Sequence, residues 1–337
     1  MIKNLKRVHI EASGRCNARC PMCSRHTYMG YIQPKRVQFD LSPKIFYKFF
    51  TEDRTKNLDH VYFSGVYGDP CMNKQLPEFI NWLQKWKKGN VSVDSNAGYR
   101  SPSWWEILGK MKPKINFAID GLEDTNHIYR RNVVWKKVWE NINAFQRAGG
   151  NGQWNFIVFK HNEHQIEEAK KLAYKLGFHN FIWEPSVRHY SPEEDTFIKT
   201  EGIGELVPDV PTVTKQKNVR YEAIKSAKAI SCKVLKKKMM YITHDFKLLP
   251  CCYFHSWQVI DDYLKFIGKS EDARTYFVNF NNDLNQRSLE TIMEDEFFNK
   301  IISDWNSCKP DVCANNCNQN EYWNKEKYND EISSNKI

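Results

Sequence analysis

Residues 8–23 read VHIEASGRCNARCPMC, a short apolar strand from Val8 to Ile10 that runs within six residues into Cys16, Cys20 and Cys23. Three thiolates from one loop, spaced C-x3-C-x2-C, can hold three irons of a cubane and leave the fourth iron open. A zinc site wants a fourth protein ligand at tetrahedral geometry, commonly from C-x2-C pairs. The spacing alone leaves both metals open. Its position behind the first strand of an alternating strand and helix array favours iron–sulfur.

That array continues outward. Strand-like runs follow at Val61 to Phe63, Val91 to Val93, Ile115 to Ile119, Phe156 to Phe159 and Phe181 to Trp183. Between them, apolar residues recur at helical spacing over 76–86, 103–111, 134–147 and 164–176. Gly149, Gly150 and Gly177 fit helix C-termini before returning strands. Six such units predict parallel strands with crossover helices, hence an α/β barrel or doubly wound sheet with its chemistry at the C-terminal ends of the strands. Residues 187–230 break the rhythm with Pro192, Pro208, Pro211, Gly202 and Gly204 and read as a linker or lid. Beyond them, 238–251 alternates as a hairpin would, 258–268 and 288–305 look helical, and the tail after 318 is polar.

Composition excludes several classes. The chain has 337 residues, 41% of them hydrophobic, which is no disordered or collagenous composition. It lacks a run of 18 apolar residues and opens without an apolar signal core, so a cytoplasmic protein with no membrane partner is expected. Lys plus Arg exceeds Asp plus Glu by 50 − 40 = 10, which favours an anionic partner. The ten cysteines fall at 16, 20, 23, 71, 232, 251, 252, 308, 313 and 317. Two tight groups more than two hundred residues apart are metal sites in a reducing compartment sooner than staples of a weak core.

At its first cysteine group the chain resembles the radical S-adenosylmethionine (radical SAM) superfamily, which carries this spacing after the first strand of a partial (β/α)6 TIM-like barrel. The resemblance implies a four-iron four-sulfur cluster on Cys16, Cys20 and Cys23, with S-adenosylmethionine chelated at the open iron. One electron then cleaves the sulfonium to methionine and a 5′-deoxyadenosyl radical, which abstracts hydrogen from substrate. Met22 stands where the family often has an aromatic residue against adenine, and a thioether makes a similar soft contact. Ser64-Gly65-Val66-Tyr67-Gly68-Asp69-Pro70 is similar to the family's glycine-rich stretch, with Asp69 in place of its usual glutamate as receiver of the methionine ammonium. Ser95 and Asn96 after the third strand, and Asp120 after the fourth, match segments that face cofactor or substrate, although Asn and Asp before Gly are also ordinary turn residues. Arg130 and Arg131 offer guanidinium groups to the methionine carboxylate. Lys160, His161 and Asn162 leave the fifth strand at the same rim, with His164 expected on the surface and Cys71 as a structural thiol.

The second group resembles the SPASM and shorter twitch extensions found behind the barrel in a subset of the superfamily. These put a cysteine ahead of a hairpin, another just after it and the rest beyond a helix. The resemblance implies a small cysteine-rich α+β domain over 231–320, following a barrel over 1–186 and the linker, with a polar tail over 321–337. One auxiliary four-iron cluster is expected on Cys232, Cys251, Cys313 and Cys317, with Cys308 or Cys252 as substitutes. A zinc knuckle on Cys308, Cys313 and Cys317 is the alternative.

The implied activity is hydrogen abstraction ending in a two-electron oxidation or a radical coupling, fed by a reductant such as flavodoxin or ferredoxin. With the first strand beginning by residue 8, no room for an N-terminal peptide-recognition domain is expected. The charge points to a phosphorylated sugar, nucleotide or carrier-bound substrate, with a peptide as the alternative. Trp104 and Trp105 fit helix packing better than a pocket wall. A nucleic-acid-binding metalloprotein is the competing class, but neither zinc-finger spacing nor an RNP-like segment accompanies the basic charge.

Overall fold

Val8 and Ile10 alternate with His9, and the same alternation of apolar and polar residues recurs along the neighbouring strands. In the computed structural model, which describes residues 5–23, 25, 39–86, 91–185, 190–191, 196–197, 232–255 and 281–299, this alternation becomes the two faces of one sheet. Strands β1 (Arg7–Ile10), β2 (His60–Phe63), β3 (Val91–Ser95), β4 (Lys114–Ala118), β5 (Asn151–Val158) and β6 (Asn180–Pro185) pair in chain order, all parallel. In register, Val8 meets Val61 and Val61 meets Val91, all buried. The opposite face is polar. There the His9 ring packs on Tyr62 at 4.8 Å, Asp94 accepts from the Tyr62 hydroxyl, and Asn116 donates to Asp94 at 2.7 Å. Parallel strands are usually apolar on both faces, so the polar face marks the side on which a ligand can be received.

Helices cover the apolar face. They are α1 (Pro43–Phe49), α2 (Glu52–Asn57), α3 (Leu76–Trp86), α4 (Pro102–Met111), α5 (Asn126–Tyr129), α6 (Trp135–Arg147) and α7 (Ile166–Lys175). The Phe46 ring of α1 stacks on Phe79 of α3 at 4.1 Å. Trp105 of α4 is fully buried against Phe117 at 5.4 Å, and Phe117 meets Phe145 of α6 at 5.3 Å. Trp105 thus packs helix on sheet, as its spacing predicts. The pair α1 and α2 has no counterpart in the sequence reading, because each is under two turns and shows little periodicity. Their starts were nonetheless written locally: Ser42 ahead of Pro43, and Thr51, each accept a backbone N–H of the first turn.

The predicted hairpin forms from β9 (Met239–Ile242) and β10 (Leu248–Leu249), entered through the short helix α8 (Lys233–Lys236). It does not stand apart from the barrel. β9 pairs parallel with β1, from Arg7 opposite Met239 to Ile10 opposite Ile242, which extends the sheet to the order β10-β9-β1-β2-β3-β4-β5-β6. A mostly parallel eight-stranded α/β sheet results, consistent with a partial TIM-like barrel. Two further short strands, β7 (Tyr190–Ser191) and β8 (Thr196–Phe197), pair with each other inside the expected linker.

Residues 281–299 fasten to the hairpin and the outer helices. Leu248 and Asn282 exchange hydrogen bonds at 3.0 and 2.8 Å, and Lys48 of α1 donates to the Asn285 carbonyl at 2.8 Å. The helix expected over 288–305 is interrupted. α9 (Leu289–Met293), capped by Ser288, ends at Glu294 and Asp295, where Asp295 pairs with Arg287 at 2.6 Å, and helical structure resumes over 296–299. The helix expected over 258–268, the tail after 318, and Cys308, Cys313 and Cys317 lie outside the described residues.

Phe46 is the test of this packing. Phe46→Ala removes a fully buried ring from the α1–α3 contact and should cost about 3–5 kcal/mol, read as a lower denaturation midpoint with the far-ultraviolet spectrum preserved.

Candidate cluster and cofactor site

The loop after β1 turns inward and must satisfy its own backbone. Asn73, fully buried, donates to the Ala12 carbonyl at 2.9 Å. Arg25, also buried, donates to the carbonyls of Gly14 at 2.6 Å and Tyr67 at 2.5 Å, tying the cysteine loop to the glycine-rich stretch. That approach is close. A Cβ added at Gly68 would stand 1.8 Å from the Ser13 carbonyl oxygen, and one at Gly65 would stand 2.1 Å from the Gly68 oxygen. Gly68 is required by backbone contact between the two loops, and Gly65 by the tight turn of its own stretch, whether or not a ligand is present.

Cys20 is buried, Cys16 and Cys23 are partly so, and Met22 is buried beside them. The Cys23 N–H donates to the Cys20 carbonyl at 3.2 Å, which curls the second half of the motif. Burial, with Asp69 and the other two thiols, pushes the Cys16 thiol well up. Burial lifts Cys20 to about 11, against the opposing pull of Arg130. With Cys16 and Cys20 both raised in this way, the loop is a poor resting place for free thiolates and a good donor set for a cationic cluster, which would supply the missing charge. Among the described residues, no three His, Cys, Asp or Glu side chains converge on a single ion. Ligands addressed to three different corners of a cubane need not converge, so the set fits a cluster better than one tetrahedral metal.

Three of the expected cofactor residues meet beside these thiols. The Asp69 carboxylate accepts from the Cys71 N–H at 2.9 Å, the Ser95 hydroxyl at 2.9 Å, the Asn96 N–H at 2.9 Å and the Asn96 amide at 2.7 Å. Burial raises its pKa, and the Asn96 and Cys71 N–H groups, the Ser95 hydroxyl and the Arg130 charge work against that rise. The same Asn96 amide reaches the Cys16 sulfur at 3.8 Å and Asn17 at 3.1 Å. Asp69, Ser95, Asn96 and Cys16 are therefore one constellation at the ends of β1, β2 and β3.

Asp120 and Arg130 form a second. Arg130 Nε donates to Asp120 at 2.5 Å while its Nη1 reaches the Cys20 sulfur at 3.7 Å. Asp120, fully buried, also accepts the Ile157 N–H at 2.7 Å. The guanidinium faces the cluster loop and not open solvent. Arg131 points elsewhere, its Nε bonded to the Ile128 carbonyl at 3.2 Å. Lys160 is exposed and paired with Glu163, and His164 is exposed as expected. Asn162 is fully buried and donates to the carbonyls of Asp120 and Ile157, which makes it a brace for the strand ends. Cys71 is fully buried, its thiol lifted by burial, as a structural thiol should be.

Of the second cysteine group, Cys232 and Cys251 are buried and Cys252 is partly buried, bracketing the hairpin that joins β1. Burial lifts the pKa of the Tyr62 and Tyr241 hydroxyls, with Asp94 next at Tyr62, Glu11 next at Tyr241 and Cys252 a smaller influence on both. The sequence reading missed Glu11, His244 and His255. Glu11 sits one residue past β1, is fully buried, and receives N–H groups from Val66 and Tyr67 together with the His244 ring. A carboxylate directly after a short parallel strand was the signal available, since such a group is buried only when partners surround it.

Comparison with known proteins follows the same lines. Residues 10–173 match the sequence model of the radical SAM superfamily. The chain is 21% identical over 311 residues to the tungsten-containing aldehyde ferredoxin oxidoreductase cofactor-modifying protein of Pyrococcus furiosus, covering 87% of this chain and 82% of that protein. Its fold is similar to Streptococcus suis SuiB bound to S-adenosylmethionine, with a TM-score of 0.56 at 14% identity, over 89% of this chain and 68% of SuiB. It is also similar to anSMEcpe with bound AdoMet, with a TM-score of 0.56 at 12% identity, over 93% of this chain and 86% of that one. Among the described residues no helix is long and apolar enough to cross a membrane. With the cysteine loop, the glycine-rich approach and the strand-end carboxylates inside the matched span, residues 10–173 of this chain are a radical SAM superfamily domain.

Proposed function

We propose that this chain is a radical SAM enzyme that modifies a peptide. The observation that carries the first half is the Asn96 amide, which touches both the Asp69 carboxylate and the Cys16 sulfur. It joins the cysteine loop to the groups that would receive the methionine end of S-adenosylmethionine. Cys16, Cys20 and Cys23 would hold a four-iron four-sulfur cluster, which with S-adenosylmethionine supplies a one-electron route to a 5′-deoxyadenosyl radical. Asp69 orients Ser95 and Asn96 and offers negative charge to an ammonium. Arg130, fixed by Asp120, offers N–H donors to a ligand sulfur or a carboxylate. The polar sheet face of His9, Tyr62, Asp94 and Asn116 lies where substrate would meet the radical.

The peptide half rests on similar folds solved with peptides bound, SuiB with precursor peptide SuiA and anSMEcpe with a Cp18Cys peptide. The formal charge of +10 favours an anionic small molecule instead. Exposed lysines such as Lys236 and Lys238 carry part of that charge on solvated surface, so the peptide reading is preferred. Net two-electron oxidation or radical coupling would use an auxiliary cluster on Cys232, Cys251, Cys313 and Cys317, with flavodoxin or ferredoxin as reductant.

Replacing Cys16, Cys20 and Cys23 together by Ala should abolish 5′-deoxyadenosine formation under dithionite. Undiminished cleavage would remove the radical SAM reading. Iron analysis separates the auxiliary proposals: two cubanes give about eight irons per chain, whereas about four irons with one zinc would favour a knuckle.

Asp69→Asn keeps the size of the side chain but loses the charge and one of the two accepting oxygens. A charge-assisted bond of about 1.5–3 kcal/mol converts to S-adenosylmethionine binding weaker by roughly one to two orders of magnitude. Normal binding by calorimetry would show that Asp69 serves the loops alone.

A further inference from the structure

Glu11 is used by neither cysteine group, yet its carboxylate ties the glycine-rich stretch to the C-terminal hairpin region. Its Oε1 accepts the Val66 N–H at 2.6 Å and the Tyr67 N–H at 3.2 Å. Its Oε2 accepts the His244 ring Nδ1 at 2.9 Å and lies 3.7 Å from His255 Nδ1. The contacts close on themselves. Tyr67 donates its hydroxyl to the His255 carbonyl at 3.0 Å and sets its ring edge-on to the His255 ring at 4.6 Å, while Tyr241 meets His255 Nδ1 at 3.1 Å. His244 also lies so close beneath the cysteine loop that a Cβ at Gly14 would stand 2.5 Å from its Nε2.

We infer that Glu11 is a positioning residue that transmits the placement of the C-terminal hairpin to the S-adenosylmethionine loop. This rests on the reading above that residues 64–69 receive S-adenosylmethionine. Three features support it. The carboxylate is fully buried, so its four donors are obligatory: an uncompensated charge there would be expensive. Two of those donors are consecutive backbone N–H groups, which fix the path of the stretch leading to Asp69. The other two are the ring and backbone N–H groups of His244, with His255 Nδ1 3.7 Å away, and these two histidines flank Cys251 and Cys252 along the chain. His244 therefore bears on that site through its bond to Glu11 and through its close approach to Gly14.

The experiment uses the reconstituted full chain and S-adenosylmethionine itself. KM and kcat for 5′-deoxyadenosine formation are measured with Glu11→Ala, Glu11→Gln, His244→Ala and the Glu11→Ala/His244→Ala pair, with Phe46→Ala as a control for lost stability. Glu11→Ala and His244→Ala should each raise KM for S-adenosylmethionine about tenfold, equivalent to about 1.4 kcal/mol, with kcat changed less than threefold. The double variant should be no worse than Glu11→Ala, because both break one linkage. Glu11→Gln, which keeps an acceptor for the Val66 and Tyr67 N–H groups, should recover part of the affinity. Should Glu11→Ala fail to fold, His244→Ala and Glu11→Gln carry the test alone. The inference is overturned by an unchanged KM in His244→Ala, by an equal KM rise in Phe46→Ala, or by additive losses in the double variant. Wild-type protein that neither binds nor cleaves S-adenosylmethionine would instead defeat the functional reading.

Discussion

A loop buried inside a protein has no ladder to receive its backbone groups, and residues 11–23 are such a loop. Every neighbour of the candidate site is organised around that requirement. Arg25 takes two carbonyls, Asn73 takes another, and Ser13 and Arg15 both bond Asp40. Unsatisfied buried groups cost roughly 1–3 kcal/mol each, so these contacts fix where the three thiols stand before any metal arrives.

Charge inside the site follows the same rule. Burial raises the pKa of both Asp69 and Asp120, and each carboxylate is answered by a different device: hydrogen-bond donors at Asp69, the Arg130 guanidinium at Asp120. Glu11 goes the other way. Although fully buried, it is held at about 2 by His255 and His244. The described cations that face the site, Arg25 and Arg130, are committed to carbonyls and to Asp120.

Much of this could be read in the sequence, for reasons that differ by residue. The six parallel strands and the helices α3, α4, α6 and α7 were visible because periodicity is a local signal. The cysteine spacing and the strand-end Asp69, Ser95, Asn96 and Asp120 were visible because the architecture fixes which end of a strand carries chemistry. What escaped depends on partners far along the chain. Glu11 looks like any polar residue after a strand until His244 is brought to it, and the hairpin's alternation does not say that its first strand will lie beside β1. Asn96 was expected to face cofactor or substrate, but its contact with both Asp69 and Cys16 is a fact of three loops meeting.

The position of β1 has a consequence for how the chain reaches this state. Its partners are residues 60–63 on one side and 239–242 on the other. Chains fold from the N-terminus as they are made, so β1 keeps one unpaired edge until the hairpin has been synthesised. Closing such a distant parallel contact is slow, because loop entropy is lost before the contact repays it. His244 reaches Gly14 and Glu11 in the same event. The cysteine loop, translated well ahead of the hairpin, is therefore roofed only after it, which leaves its thiols open to metal loading while the residues between are made.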